Sequence, residues 1–218
     1  MQKLIQGIVD FRKNLTEDCR EMFAKLALGQ KPDALFIACS DSRVVPNLFA
    51  STNPGDLFVL RNIGNLIPPL STSCKDNSAS AVIEFSVHTL NVSNIIICGH
   101  SECGAMKALA QGVDKHCCPN LDSWLKHGEE SLMKVRQGVT INPALSEENQ
   151  ISQINVLQQM QHVASYPFIL DRLEKKQLRI HGWWFDIGQA DVYCYEESIH
   201  QFVLIDENEA KLILERLG

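Results

Sequence analysis

Ala34-Leu35-Phe36-Ile37-Ala38-Cys39-Ser40-Asp41-Ser42-Arg43 sets an unbroken apolar run against a short polar segment. A continuous apolar run bounded by the Pro32-Asp33 turn is the pattern of a strand covered on both faces. Leu57-Phe58-Val59-Leu60, after the Asn53-Pro54-Gly55-Asp56 turn, repeats it, and so does Ile95-Ile96-Ile97-Cys98 after Asn94. Helical spacing fills the intervals. Leu4, Ile5, Ile8, Phe11, Leu15, Met22, Phe23 and Leu26 predict a helix over 3–28 that stops at Gly29. Ala81, Val82, Phe85 and Leu90 predict another over 78–90. Further helices are expected from just after His100 through Ala110, over 121–138, over 147–165, and, beyond Pro167, through Lys176. Residues 178–185 and 191–195 read as strands joined at Gly188-Gln189, a hairpin at a sheet edge. A helix over 207–217 closes the chain.

Strands separated by helices predict an α/β fold: a mainly parallel central sheet with an antiparallel edge strand, flanked by helices. At 218 residues, with no Pro/Gly/Ser-rich or like-charged divider, the chain reads as a single domain over 1–218. Its expected parts are an N-terminal helical arm over about 1–28, a catalytic α/β core over about 30–205 and a C-terminal helix over about 207–217.

Formal net charge is -6 and the charges are interspersed, which argues against nucleic acid as a partner. No run approaches the ~18 apolar residues of a membrane span, and nothing resembles a signal peptide. Eight cysteines in such a chain point to a reducing cytoplasm rather than to a disulfide framework. Cys98 reads as a small core residue inside a strand, and Cys117-Cys118 before Pro119 as part of a polar loop. His116, His127, His162, His181 and His200 show no ligand spacing.

The polar segments that follow the first and third apolar runs carry the chemistry. Cys39 ends the first; His100-Ser101-Glu102-Cys103 follows the third. In open α/β sheets ligands bind beyond the carboxyl ends of strands, so topology alone delivers Cys39 and His100 to one place. His100 and Cys103, at i and i+3, lie on one face of a helical turn. Two thiolates and one imidazole suit Zn²⁺ and leave a fourth position open. On spacing alone the alternatives stand: a core thiol at Cys39 and a locally bonded histidine at His100. Asp41 and Arg43 tip the reading, because a guanidinium that grips a carboxylate bidentately keeps it ionised beside a metal.

Taken in order, Cys39-Ser40-Asp41-Ser42-Arg43-Val44 and Gly99-His100-Ser101-Glu102-Cys103-Gly104 resemble the β-class carbonic anhydrases. So do Gly29-Gln30, Arg61-Asn62-Ile63-Gly64-Asn65-Leu66 and Ile83-Glu84-Phe85. The likeness runs from about residue 25 to 110, and more weakly through the strand holding Gly182. It implies that Cys39, His100 and Cys103 bind one Zn²⁺ per chain and that Asp41 and Arg43 form a catalytic dyad. It further implies a closed form, found in part of the family, in which Asp41 leaves Arg43 for the fourth metal position. Gln30, Phe58, Ile63, Phe85 and Gly104 match residues at the substrate pocket, some contributed across a dimer interface. The expected assembly is a homodimer or higher homo-oligomer. Some relatives hold an inhibitory bicarbonate with a Trp, an Arg and a Tyr; here those positions are Phe36, Arg61 and Phe185, which favours an open metal site.

The activity the resemblance implies is reversible hydration of CO₂ to bicarbonate and a proton by zinc-bound hydroxide that Asp41 orients. Two thiolates and a neutral imidazole cancel the charge of Zn²⁺, whereas three imidazoles leave +2 and bring bound water to a pKa of about 7. The neutral centre acidifies water less, so activity is expected to rise toward alkaline pH. Two alternatives share the ligand set: a zinc hydrolase of carbonyl sulfide or carbon disulfide, and a non-catalytic zinc-binding protein on the same fold. The second predicts loss of Asp41 or Arg43, and both are present.

Overall fold

The computed structural model describes residues 1–70 and 77–217; Cys74 lies outside them. The chain opens with α1 (Gln2–Asn14) and α2 (Glu17–Leu26), followed by β1 (Ala34–Cys39), the short α3 (Pro46–Phe49) and β2 (Leu57–Asn62). Next come α4 (Asn77–Glu84), β3 (Asn94–His100), α5 (Gly104–Gln111), α6 (Pro119–Leu125), α7 (Glu129–Arg136), α8 (Glu147–Ala164) and α9 (Pro167–Glu174). The chain ends with β4 (Arg179–Asp186), β5 (Asp191–Glu196), β6 (Gln201–Leu204) and α10 (Glu207–Leu217).

The strands form one sheet in the order β2-β1-β3-β4-β5-β6. β2, β1, β3 and β4 run parallel, and β5 and β6 add antiparallel edges. The chain leaves β1 toward β2 on one side and leaves β3 toward β4 on the other. The β1–β3 boundary is therefore the topological switch point, where α/β sheets open a crevice at the strand ends. Cys39 ends β1 and His100 ends β3 at that crevice.

Every residue of β1 is buried. The pleat splits them: Leu35 and Ile37 join Ile95, Ile97, Val156 and Tyr166 on one face, and Ala34, Phe36 and Ala38 join Ile96, Cys98 and Phe185 on the other. Removing each large apolar side chain from water contributes about 1.5–3 kcal/mol, which makes β1 and β3 the rigid floor under the crevice. α8 packs across β3 and β4. It can do so closely because Gly99 and Gly182 carry no Cβ: one at Gly99 would stand 2.7 Å from Val156 Cγ2, and one at Gly182 2.8 Å from Met160 Sδ.

Three boundaries differ from the sequence-based expectation. The helix expected over 3–28 is two helices, because Leu15 is extended and Thr16 caps α2, its Oγ1 accepting from Cys19 N at 3.3 Å. The helix expected over 78–90 is α-helical only to Glu84; Phe85–Thr89 is a π turn, with Leu90 N donating to Phe85 O at 3.1 Å. The segment 121–138 is also broken, by a 3₁₀ turn at Lys126–Gly128. β6 extends the sheet by one strand beyond the expected hairpin. The hairpin itself forms, its turn fixed by Asp186 Oδ1 accepting from Gly188 N at 2.8 Å. The seven described cysteines are all free.

Candidate metal centre

The ligand atoms of Cys39, His100 and Cys103 lie within 4.8 Å of one another, and all three residues are buried. Cys39 comes from the end of β1 and His100 from the end of β3, while Cys103 immediately precedes α5. The imidazole is oriented by its own chain: Nδ1 donates to Ser101 O at 2.8 Å, since a carbonyl can only accept. The proton on Nδ1 leaves Nε2 with its lone pair, and Nε2 is buried with no hydrogen-bond partner. A lone pair withdrawn from water without a partner costs free energy, and a cation coordinated there removes that cost.

The sulfurs are prepared in the same way. Hydrogen bonding with Cys103 holds the Cys39 thiol well below the usual thiol range against the opposing effect of burial, with further help from the Gly64 and Asp41 backbone. Cys103 is raised, first by that same contact and then by burial, while the backbone N–H groups of Met106 and Ala105 at the start of α5 pull it down. Both sulfurs would bind a divalent cation as thiolates. Gly64 N donates to Cys39 Sγ at 3.4 Å. Only glycine fits there: its φ is +75°, and a Cβ would stand 3.0 Å from both Ala105 Cβ and Met106 Cε.

Beside the cluster, Arg43 grips Asp41 through two parallel bonds, Nε to Oδ1 at 2.9 Å and an η nitrogen to Oδ2 at 2.8 Å. The Arg43 backbone N–H adds a third at 3.0 Å. Side-chain hydrogen bonding from Arg43 is the main reason that the Asp41 carboxyl sits below the ordinary carboxylate range. The same η nitrogen of Arg43 also donates to Glu102 O at 2.9 Å, tying the dyad to the loop that carries His100 and Cys103. Arg61 clamps the backbone under the dyad, donating to Cys39 O at 3.0 Å and to Asp41 O at 2.7 Å.

The expected pocket residues are arranged more loosely. The rings of Phe58 and Phe85 stand 5.7 Å apart. Phe85 opens the π turn and is 45 % exposed; Ile63 is 43 % exposed, and its carbonyl accepts from Trp124 Nε1 at 2.7 Å. Gln30 is exposed between α2 and β1. Gly104 starts α5 with open space around the position of a Cβ. Phe36 packs against Trp183 at 5.8 Å, and Phe185 stacks on Phe49 at 4.8 Å.

Sequence reasoning missed the polar residues of α8. Asn149, Ser152, Asn155 and Gln159 are buried, and each reaches a backbone atom of the loops just described. Their signal was present as amides and a serine inside a helix with few apolar residues to bury, at i, i+3, i+6 and i+10.

A family model described as carbonic anhydrase matches residues 34–192. Carbonic anhydrase from Synechocystis is 38% identical over 93% of this chain and 74% of its own length. That from Pseudomonas aeruginosa is 35% identical, over 95% and 93%. Among solved structures, the β-carbonic anhydrase CcaA superimposes with a TM-score of 0.85 at 36% identity, covering 94% of this chain and 98% of its own. The Coccomyxa β-carbonic anhydrase, solved with acetazolamide, gives 0.75 at 26% identity, over 99% and 98%. The chain belongs to the β-carbonic anhydrase family and on that footing is a carbonic anhydrase.

Proposed function

We propose that this protein catalyses the reversible hydration of CO₂ to bicarbonate and a proton, with one Zn²⁺ held by Cys39, His100 and Cys103. The observation that carries the reading is the buried Cys-His-Cys triplet, its His100 Nε2 unpartnered, directly beside a carboxylate held by a guanidinium. Zinc held there supplies the Lewis acidity that makes water a nucleophile near neutral pH.

The chain's own residues do the rest. Asp41, kept ionised by Arg43, accepts a hydrogen bond from the attacking water and turns its lone pair toward the carbon of CO₂. Arg43 donates to both Asp41 and Glu102 O, which favours an Asp41 that would stay with Arg43 at alkaline pH and would bind the metal only in a closed form. Phe58, Phe85 and Ile63 form an apolar wall for an apolar gas, Gln30 donates to a substrate oxygen, and Gly104 keeps space clear beside Cys103.

The wall is half open in one chain, and α1 presents Leu4, Ile5, Ile8 and Phe11 to solvent, each 57–68 % exposed. Both features support a homodimer or larger assembly in which a second copy covers them. Tetrameric β-carbonic anhydrases from Sordaria macrospora align with a TM-score of 0.72 at 29% identity, over 88% of this chain and 92% of theirs. Nucleic acid has no place in this reading at a net charge of -6. No helix among the described residues is long and apolar enough to cross a membrane. A reducing, cytoplasmic setting fits ligands that must remain thiolates.

Stopped-flow CO₂ hydration by protein of known zinc content tests the reading, run beside carbonyl sulfide hydrolysis. Fast CO₂ hydration with slow sulfide turnover is expected. Zinc-replete protein inert toward CO₂ between pH 7 and 9 would refute it, and rapid turnover of the sulfide alone would move the activity to that substrate.

A further inference from the structure

α8 buries a polar stripe roughly 15 Å long, ten residues at about 1.5 Å each, where a core helix ordinarily buries leucine. Asn149, Ser152, Asn155 and Gln159 lie on one face of it, and none is more than 8 % exposed. Polar side chains this deeply buried persist only where hydrogen bonds compensate their desolvation, and here the partners are specific. Asn149 Oδ1 accepts from Glu102 N at 2.7 Å, and its Nδ2 donates to Glu102 Oε1 at 3.1 Å. Ser152 Oγ donates to His100 O at 2.8 Å while accepting from Trp184 Nε1 at 3.1 Å. Asn155 Nδ2 donates to Gly64 O at 3.1 Å. Gln159 Oε1 accepts from Ile67 N at 2.7 Å, and its Nε2 donates to Asn155 Oδ1 at 2.9 Å, so the last two side chains brace each other.

Three of these four backbone positions bear on the metal cluster. Glu102 stands between His100 and Cys103 at φ +54°, a left-handed conformation that a non-glycine residue keeps only when its surroundings hold it. Its carbonyl also anchors Arg43. His100 is a cluster residue. Gly64 aims its N–H at Cys39 Sγ. Thus one helix face fixes the Cys39 hydrogen bond, the His100 backbone and the turn between His100 and Cys103.

We propose that the Asn149-Ser152-Asn155-Gln159 stripe is a positioning device for the metal cluster, and that Asn155 and Ser152 set its affinity for the ion by holding Gly64 and His100 in place. The inference rests on the proposed zinc site. Neither side chain touches the reacting atoms. Their effect passes through the backbone to ligand orientation, as outer-shell groups do at metal sites generally.

The test is a zinc affinity measured by chelator competition on zinc-loaded protein, paired with the thiolate-to-metal charge-transfer band of the Co²⁺ form. The variants are Asn155→Ala, Ser152→Ala and, as a control, Val163→Ala. Val163 is fully buried on α8 but packs in the apolar cluster of Leu35, Ile95 and Tyr166, not in the one that holds Cys39 and Cys103. Asn155→Ala is expected to weaken zinc binding roughly 10–100-fold and to shift the Co²⁺ band. Ser152→Ala follows in the same direction and provides the answer if Asn155→Ala does not fold. Val163→Ala lowers thermal stability with affinity and spectrum unchanged. Affinities within twofold of the parent for both polar variants, with the parent's Co²⁺ band, would overturn the inference. Parent protein that binds no zinc would instead remove the proposed site itself.

Discussion

The two sides of the crevice are built differently. On the metal side, Cys39, His100 and Cys103 are at most 4 % exposed, and Cys39 and His100 are hydrogen-bonded to backbone of the same chain. On the other side, Phe85 and Ile63 are more than two-fifths exposed, and Gln30 stands in solvent. A single chain thus assembles the ligand set, whereas the apolar wall stays half open in one chain, as the proposed assembly requires. Removing parts of the metal side should therefore abolish function outright, and removing parts of the wall should tune it.

The largest effect belongs to the ligands. His100→Ala is expected to bring zinc content and CO₂ hydration to background together, measured by metal analysis and stopped flow. Asp41→Ala comes next: zinc stays bound while turnover falls roughly 10²-fold or more, in line with the loss of a positioned proton acceptor. Equal loss of zinc in Asp41→Ala would mean that the carboxylate serves the metal rather than the reaction. Leu35→Ala, on the buried floor, should cost about 2–5 kcal/mol in chemical denaturation and leave zinc affinity intact. Phe85→Ala should raise KM a few-fold with kcat nearly unchanged; a collapse of kcat would make the wall part of the chemistry. Glutamates at Ile8 and Phe11 should shift sedimentation toward the monomer, and an unchanged assembly would mean that α1 does not bear on a second copy.

The pH dependence sharpens the same division. Asp41 is depressed below its ordinary value of about 3.9, so its contribution to stability is full above that value and fades only as pH falls through the lower folded one. It does not titrate between pH 5 and 9. Activity that rises with pH in this range must come from the metal side, and Asp41→Asn should lower the rate at every pH without moving the midpoint.

The sheet and the cluster were legible because they rest on local patterns. Unbroken apolar runs mark β1 and β3, their ends carry Cys39 and His100, and parallel topology brings the ends together. The misplaced helix boundaries have one physical cause: they depend on backbone hydrogen bonds that periodicity does not encode. The Thr16 cap splits the first helix, although Thr16-Glu17-Asp18 is a readable start signal. The π turn at Phe85 leaves the apolar spacing of 78–90 intact while changing the bonding. β6 is only four residues long at the edge. The α8 stripe was hidden because buried amides look, in sequence, like a solvated face; only tertiary structure reveals that the face points inward.

Zinc K-edge absorption of the natural protein and of Cys39→Ser tests the central claim most directly. The predicted shell for the natural protein is two sulfurs at about 2.3 Å and nitrogen or oxygen at about 2.0 Å, with one sulfur lost in Cys39→Ser. A shell without two sulfurs, or one that Cys39→Ser leaves unchanged, would contradict it.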